Sequence, residues 1–194
     1  MPDSPLDHFR ALFQGSEDPW HTRTTWYELR KRRLLLAALP QERYQSAYEP
    51  ACSNGELTAA LAERCDHVLA SDGVAAAVEL AQRRVHALPN VEVVQAHTPQ
   101  QWPDGSYDLV VLGEFVYYLE REEVSTMCRC IRNTLTGNRT VLACHWHHPI
   151  SDARIDATQA HELLSDRLGL RNALSWRGDD FLLDVWTDAP LPGR

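Results

Sequence analysis

Residues 48–61 read YEPACSNGELTAAL. An acid, Glu49, leads into a run of small residues that closes at Gly55, and a helical pattern follows. That is the outline of a strand–turn–helix at a nucleotide site. The version that grips a pyrophosphate, G-x-G-x-x-G, needs glycines that this loop does not supply: Ala51 and Ser53 stand where they would be sought. An acid at the start of the loop repels phosphate and suits a cationic ligand.

The pattern on either side of the loop sets its context. The periodicity predicts a helix over 26–39 stopped by Pro40, a strand over 43–48, and a helix over 55–65 with Leu57, Leu61 and Cys65 at four-residue spacing. An apolar run over 67–71 ends at Asp72, a helix is expected over 74–87, and a strand over 91–94. YDLVVLG (107–113) has the unbroken apolar centre of a strand buried on both faces. A helix over 122–135 closed by a Gly137-Asn138 turn, a strand over 139–146, a helix over 157–168 and a hairpin of 172–176 with 181–187 complete the chain. Everything before residue 26 reads as a polar leader.

Strands alternating with helices imply an α/β domain with a parallel sheet covered on both sides, and the closing pair of strands must add an antiparallel edge. Ligands of such sheets lie beyond the carboxyl ends of the strands. Residues 49–55, Asp72, 96–98 and Glu114 all fall at such ends, so they are expected to converge. Asp72, at the end of the second strand, is placed to accept both hydroxyls of a ribose. A nucleoside with a positive charge and no phosphate describes S-adenosylmethionine.

The composition narrows the alternatives. A chain of 194 residues suits one domain with a substantial core. Its net charge of −8 argues against a nucleic-acid-binding face. The basic cluster Arg30-Lys31-Arg32-Arg33 lies in a helical pattern and reads as a solvated face. No apolar run approaches the ~20 residues of a membrane span, and MPDSPLDHF lacks the features of a secretory signal, so a soluble cytoplasmic protein is expected. The five cysteines form no evident disulfide framework. CHWHH at 144–148 offers either metal ligands or histidines lining a polar pocket; no second cluster with zinc-site spacing accompanies it, and no metal is expected.

Taken in order, DPWHTRTTWYELRKR (18–32), EPACSNGELTAALAERC (49–65), ASDG (70–73) and YDLVVLGEFVYYL (107–119) resemble the class I S-adenosylmethionine-dependent methyltransferases, and more narrowly the nodulation protein S-like family. The resemblance spans nearly the whole chain. It implies a Rossmann-like three-layer α/β/α sandwich around a mostly parallel seven-stranded sheet with an antiparallel terminal strand. It also implies that residues 1–39 fold over the site as a lid carrying Trp20 and Tyr27. The cofactor contacts implied are Trp20, Tyr27, Glu49, Ala51, Cys52, Ser53, Gly55, Asp72, Gly73, His97, Thr98 and Glu114. His97 stands where the family has an acid for the adenine amino group, and a neutral histidine can accept that bond. Ala51 is tolerable there if its φ is negative.

Methyl transfer removes charge from a sulfonium, so alignment and desolvation dominate and no nucleophilic side chain is needed. The acceptor must present a free lone pair, and an ammonium needs a base. Glu114 and His145, at the ends of the fourth and fifth strands, are the catalytic candidates flanking the acceptor; Asp108 reads as structural. The resemblance implies a small-molecule acceptor, an amine such as that of an amino sugar or oligosaccharide, with O-methyl transfer or a catalytically silent adenosyl-binding or partner-binding module as the alternatives. Neither nucleic acid nor membrane is expected as a partner.

Overall fold

The computed structural model describes residues 5–190. Seven strands form one sheet in the order β3-β2-β1-β4-β5-β7-β6: β1 (Tyr44–Pro50), β2 (Cys65–Asp72), β3 (Val91–Gln95), β4 (Tyr107–Gly113), β5 (Leu135–Trp146), β6 (Arg171–Arg177) and β7 (Phe181–Thr187). β1 to β5 run parallel, whereas β7 is antiparallel to both β5 and β6. The last strand therefore lies inside the sheet, with every residue buried, and the exposed β6 forms the edge.

The helices are α1 (Pro5–Gly15), α2 (Trp26–Ala38), α3 (Glu56–Leu61), α4 (Ala75–Val85), α5 (Arg121–Thr134) and α6 (Ala157–Leu168). Strand alternation divides the core into two layers. Val110, Leu112, Val141, Ala143 and Leu182 pack on one sheet face with Val124, Met127 and Ile131 of α5 and Leu164 of α6. Leu109, Val111, Leu142, Cys144 and Leu183 pack on the other with Leu35 of α2 and Leu61 of α3. α4 joins that second layer through Val78 and Ala81 beside Ala70, and α1 lies on α4 through Phe13 against Ala77 and Leu80.

Three local expectations change. α3 is a short helix that ends at Leu61, because Cys65 is needed to open β2, where it pairs with Tyr44. Gly137 and Asn138 form an irregularity inside β5, at a register shift against β4, with Gly137 at φ +60. The leader contains α1, whose Leu6, Phe9 and Phe13 recur at helical spacing. Asp108 is structural as read: its carboxylate accepts the N–H groups of Gln45 and Ser46, pinning β1 to β4. Among the described residues no helix is long and apolar enough to cross a membrane, and no three His, Cys, Asp or Glu gather as metal ligands.

Candidate active site

The carboxyl ends of β1 to β5 open into a cavity of about 1040 Å³ that α1 and α2 line from the other side. Of the twelve residues read from the sequence as cofactor contacts, Trp20, Tyr27, Glu49, Ala51, Cys52, Ser53, Asp72, Gly73, His97, Thr98 and Glu114 are on its wall. Gly55 is not on the wall. With φ at +80 it opens α3, and a Cβ there would lie 2.9 Å from Ala81 Cα, so only glycine lets α3 and α4 pack this closely.

The β1–α3 loop is held by backbone bonds. Cys52 N–H donates to Ser71 O (2.9 Å), Gly55 N–H to Cys52 O (3.0 Å) and Ser53 N–H to Asp72 Oδ2 (2.9 Å). Asp72 Oδ1 accepts the N–H of Val74 (2.9 Å). The turn so formed has Ala51 at φ +56 and Ser53 at φ +53, so the negative φ that would make Ala51 tolerable is not met. Both occupy the left-handed region that glycine enters freely and an L side chain enters at a cost of about 1–2 kcal/mol.

Glu49 is 3 % exposed and its Oε2 has no partner. Burial, with the charge of Asp72 added, pushes its carboxyl up to about 8. Tyr27 hydroxyl and Ser53 Oγ are likewise buried without a hydrogen bond. Three orphaned polar groups around one cavity are what a bound polar ligand would satisfy, since buried polar atoms are otherwise nearly always paired. His97 lies beside them. Gln100 Nε2 donates to Glu123 Oε1 (2.7 Å), which turns its Oε1 toward His97 Nδ1 (2.9 Å). His97 Nδ1–H therefore donates to Gln100, leaving Nε2 as an acceptor when the ring is neutral. At Gly73 a Cβ would meet Leu6 Cδ2 at 2.9 Å and His97 Cδ2 at 3.2 Å, so its lack of a side chain lets α1 and the β3 loop close together.

At the other end of the cavity, where the Tyr27 ring packs on Trp146, the Glu114 carboxylate is fully bonded. Glu114, at φ +58 after β4, accepts from Lys31 Nζ at Oε1 (2.6 Å) and from Tyr117 hydroxyl (2.9 Å) and Trp146 N–H (2.7 Å) at Oε2. Lys31 also donates to Glu28 Oε1 (2.9 Å). Lys31 is 6 % exposed, which corrects the reading of the basic cluster as a solvated face. Burial would lower its pKa, but Glu114 and Glu28 outweigh it and hold the ammonium charged. Sequence reasoning gives Lys31, Glu28 and Tyr117 no role in the site; the Glu28–Lys31 spacing on a helix is the available signal.

His145 is not on the cavity wall. Cys144 and Trp146 face the cavity from the α2 side of the sheet, so alternation turns His145 to the opposite face, where it is fully buried against His161 of α6. The expected placement of His145 beside the acceptor is thus corrected by the parity of β5. His147 lies beyond the strand, its N–H donating to Asp180 O (2.8 Å). Trp146 takes the cavity position instead, edge-on to Tyr27 with ring centroids 5.4 Å apart.

Comparison with known proteins places this architecture among relatives. The chain is 27 % identical over 132 residues to the nodulation protein S of Rhizobium tropici, covering 66 % of this chain and 55 % of that protein. It is 27 % identical over 123 residues to that of Sinorhizobium fredii, covering 63 % and 56 %. The chain thus spans just over half the length of these curated relatives. A solved Pseudomonas syringae protein, provisionally described as a methyltransferase, is 44 % identical with a TM-score of 0.76, covering 84 % of this chain and 99 % of that one. The N-methyltransferase NodS of Bradyrhizobium japonicum WM9, solved with S-adenosyl-L-homocysteine, shares the fold at a TM-score of 0.81 and 18 % identity, covering 93 % and 96 %. The family model described as nodulation protein S matches residues 10–146, and the chain belongs to that family.

Proposed function

We propose that this chain is an S-adenosylmethionine-dependent methyltransferase acting on a nitrogen of a small molecule, with α1 and α2 as the lid over the site. The observation that carries the reading is the orphaned, buried carboxylate of Glu49, set beside Asp72 and His97 at the ends of the first three strands. The donor set fits the cofactor. Glu49 would face the methionyl ammonium, Asp72 has lone pairs left for ribose hydroxyls, and His97 Nε2 can accept from an amino group of adenine. When bound, the cofactor supplies an electrophilic methyl group on a sulfonium.

The residues of this chain orient and enclose. Glu114, Lys31 and Tyr117 form a rigid polar wall, while Tyr27, Trp146 and Tyr118 supply aromatic faces. Acids outnumber Lys and Arg around the cavity, which favours a cationic or weakly basic acceptor over an anionic one. An amine, including that of an amino sugar or oligosaccharide, suits this field better than a hydroxyl, which would need a stronger base than the site presents. One observation favours a second reading, a silent adenosyl-binding module: three donors already occupy Glu114, and His145 faces away.

Calorimetric titration with S-adenosylmethionine, S-adenosylhomocysteine and a nicotinamide dinucleotide tests the cofactor. Transfer of labelled methyl to panels of amines and alcohols then tests the reaction. Binding of the adenosyl compounds alone, with turnover on amines, is the expected result. Binding without turnover on either panel supports the silent module, and absence of adenosyl binding overturns both.

A further inference from the structure

The wall at the acceptor end is backed by a buried polar chain that the proposed chemistry does not use. Val116 N–H donates to His145 Nε2 (3.2 Å), His145 Nδ1 lies 3.0 Å from His161 Nε2, and His161 Nδ1 lies 2.5 Å from Asp184 Oδ2. His145, His161 and Asp184 are 0 %, 2 % and 1 % exposed. Arg177 closes the far end, its Nη1 and Nη2 donating to the two oxygens of Asp184 at 3.0 and 2.9 Å, and Ser175 hydroxyl and Asn172 Nδ2 donate to Oδ1 as well.

One backbone group fixes every proton in this chain. A peptide N–H can only donate, so His145 Nε2 must be bare, and the ring carries its proton on Nδ1. That N–H donates to His161 Nε2, which must then be bare too, and the proton of His161 sits on Nδ1, aimed at Asp184. A doubly protonated His161 would oppose N–H to N–H. Burial, His161 and Lys31 together hold His145 well below the usual imidazole range. Burial alone would raise the Asp184 carboxyl, but the bonds from His161, Arg177 and Ser175 outweigh it and keep it ionised.

The near end of the chain is the 3-10 turn Val116–Tyr118. The ring of Tyr117, the next residue along, packs edge-on against His145 at 5.2 Å and 74°. Its carbonyl accepts the N–H groups of Arg154 and Ile155, and its hydroxyl donates to Glu114. Hydrogen bonds therefore link Asp184 and His161 to the cavity wall through His145 and this turn. The series ends on a peptide N–H rather than on the cavity, so it carries no proton to the acceptor.

We propose that His145 and His161 are positioning residues: with Asp184 as their anchor, they hold the turn that sets Tyr117 against Glu114 and so shape the acceptor end of the cavity. The proposal rests on the methyltransferase reading only for calling that end the acceptor end. Imidazole nitrogen NMR on the full chain tests the proton arrangement. Both rings should show the Nδ1–H tautomer, and His145 should keep it from about pH 6 to 8, the range in which a free imidazole titrates. A second N–H on His161 would overturn the arrangement.

Two variants test the positioning. The Tyr117 hydroxyl, bonded to Glu114, should give a slowly exchanging proton signal in wild type that is lost in His161→Phe, with affinity for S-adenosylhomocysteine within about twofold of wild type (under 0.5 kcal/mol). His161→Gln, whose amide can both accept and donate, should restore the signal. Retention of the Tyr117 signal in His161→Phe alongside a lowered melting temperature would mean a merely structural role and sinks the proposal. If wild type fails to bind S-adenosylhomocysteine, the functional reading fails while the tautomer and Tyr117 results still decide this one.

Discussion

The two ends of the cavity are built in opposite ways. At the β1–β3 end, Glu49 Oε2 is buried without a partner, Ser53 Oγ is orphaned, and Ala51 and Ser53 sit at positive φ. At the β4–β5 end, Glu114, itself at positive φ, takes three donors, Lys31 bridges two carboxylates, and the polar chain behind the wall is closed at both ends, which leaves the Tyr27 hydroxyl as the orphan there among the described residues. An unsatisfied buried group raises the free energy of the empty protein and lowers it when a ligand supplies the missing partner. A satisfied network holds its shape with or without one. The first end is therefore tuned to grip a fixed ligand, and the second to present a preformed wall to whatever shares the cavity.

The largest effect that would break this contrast lies at the satisfied end. Lys31→Met leaves Glu28 and Glu114 facing one another without their cation. Breaking a buried ion pair costs about 3–5 kcal/mol; with the Glu114 side chain 29 % exposed, about 2–4 kcal/mol is the better expectation. Glu49→Gln, by contrast, should leave stability unchanged or raise it, because it replaces a buried carboxyl whose Oε2 has no partner. Urea denaturation of both variants measures the difference. Equal destabilisation by the two substitutions would end the distinction between the ends.

Asp72→Ala comes next. It removes the acceptor of the Ser53 and Val74 N–H groups and, on the proposed reading, of the ribose. Affinity for S-adenosylmethionine should fall by about 1.5–3 kcal/mol, the scale for hydrogen bonds to a charged group. Calorimetry on the folded variant checks it, and undiminished binding would move the cofactor site elsewhere.

Much of this could be read from the chain because the informative features are local. The small-residue loop after Glu49, the apolar runs ending at Asp72 and Gly113, and the Gly178–Asp180 turn each announce their geometry through residues a few positions apart. The seven-stranded sheet and the strand ends that line the cavity follow from them. What stayed hidden depends on long-range packing. Whether His145 or Trp146 faces the cavity turns on the parity of one strand, and the apolar run before it is buried on both faces and gives no clue. Lys31 looks solvated within Arg30-Lys31-Arg32-Arg33 until the sheet places Glu114 within 2.6 Å of it. Likewise, nothing local reveals that Asp72 draws the loop backbone into the left-handed region.

The Glu49 carboxyl gives a pH signature to the unsatisfied end. It titrates near 8 in the folded chain against 4.5 for the free side chain, so between those values the folded state holds a proton that the unfolded state has released. Its contribution to stability is therefore fullest below about 4.5 and declines as pH rises toward 8. The melting temperature of wild type should fall across that window relative to Glu49→Gln. If an ammonium meets Glu49 in the complex, binding of S-adenosylhomocysteine at pH 7 should release about one proton from wild type and none from the variant. Calorimetry in buffers of different ionisation enthalpy counts the protons, and equal counts would place the ammonium elsewhere.

The smallest expected effect is at the loop itself. Ala51→Gly and Ser53→Gly relieve positive φ values of +56 and +53, worth about 1–2 kcal/mol each, against an added unfolded-state entropy of about 0.4–1 kcal/mol. The net gain should be about 0–1.6 kcal/mol for Ala51→Gly, with donor affinity unchanged or slightly improved. Ser53→Gly differs because it also deletes an orphaned buried hydroxyl, so it should stabilise the free protein more than Ala51→Gly does. If that hydroxyl bonds the cofactor, the same substitution should weaken S-adenosylmethionine binding, making the variant more stable and less able to bind. Thermal melts and titrations on the two variants separate these outcomes. Loss of stability in both would mean that the left-handed turns are held by contacts of the Ala51 and Ser53 side chains, and would remove strain from the description of this end.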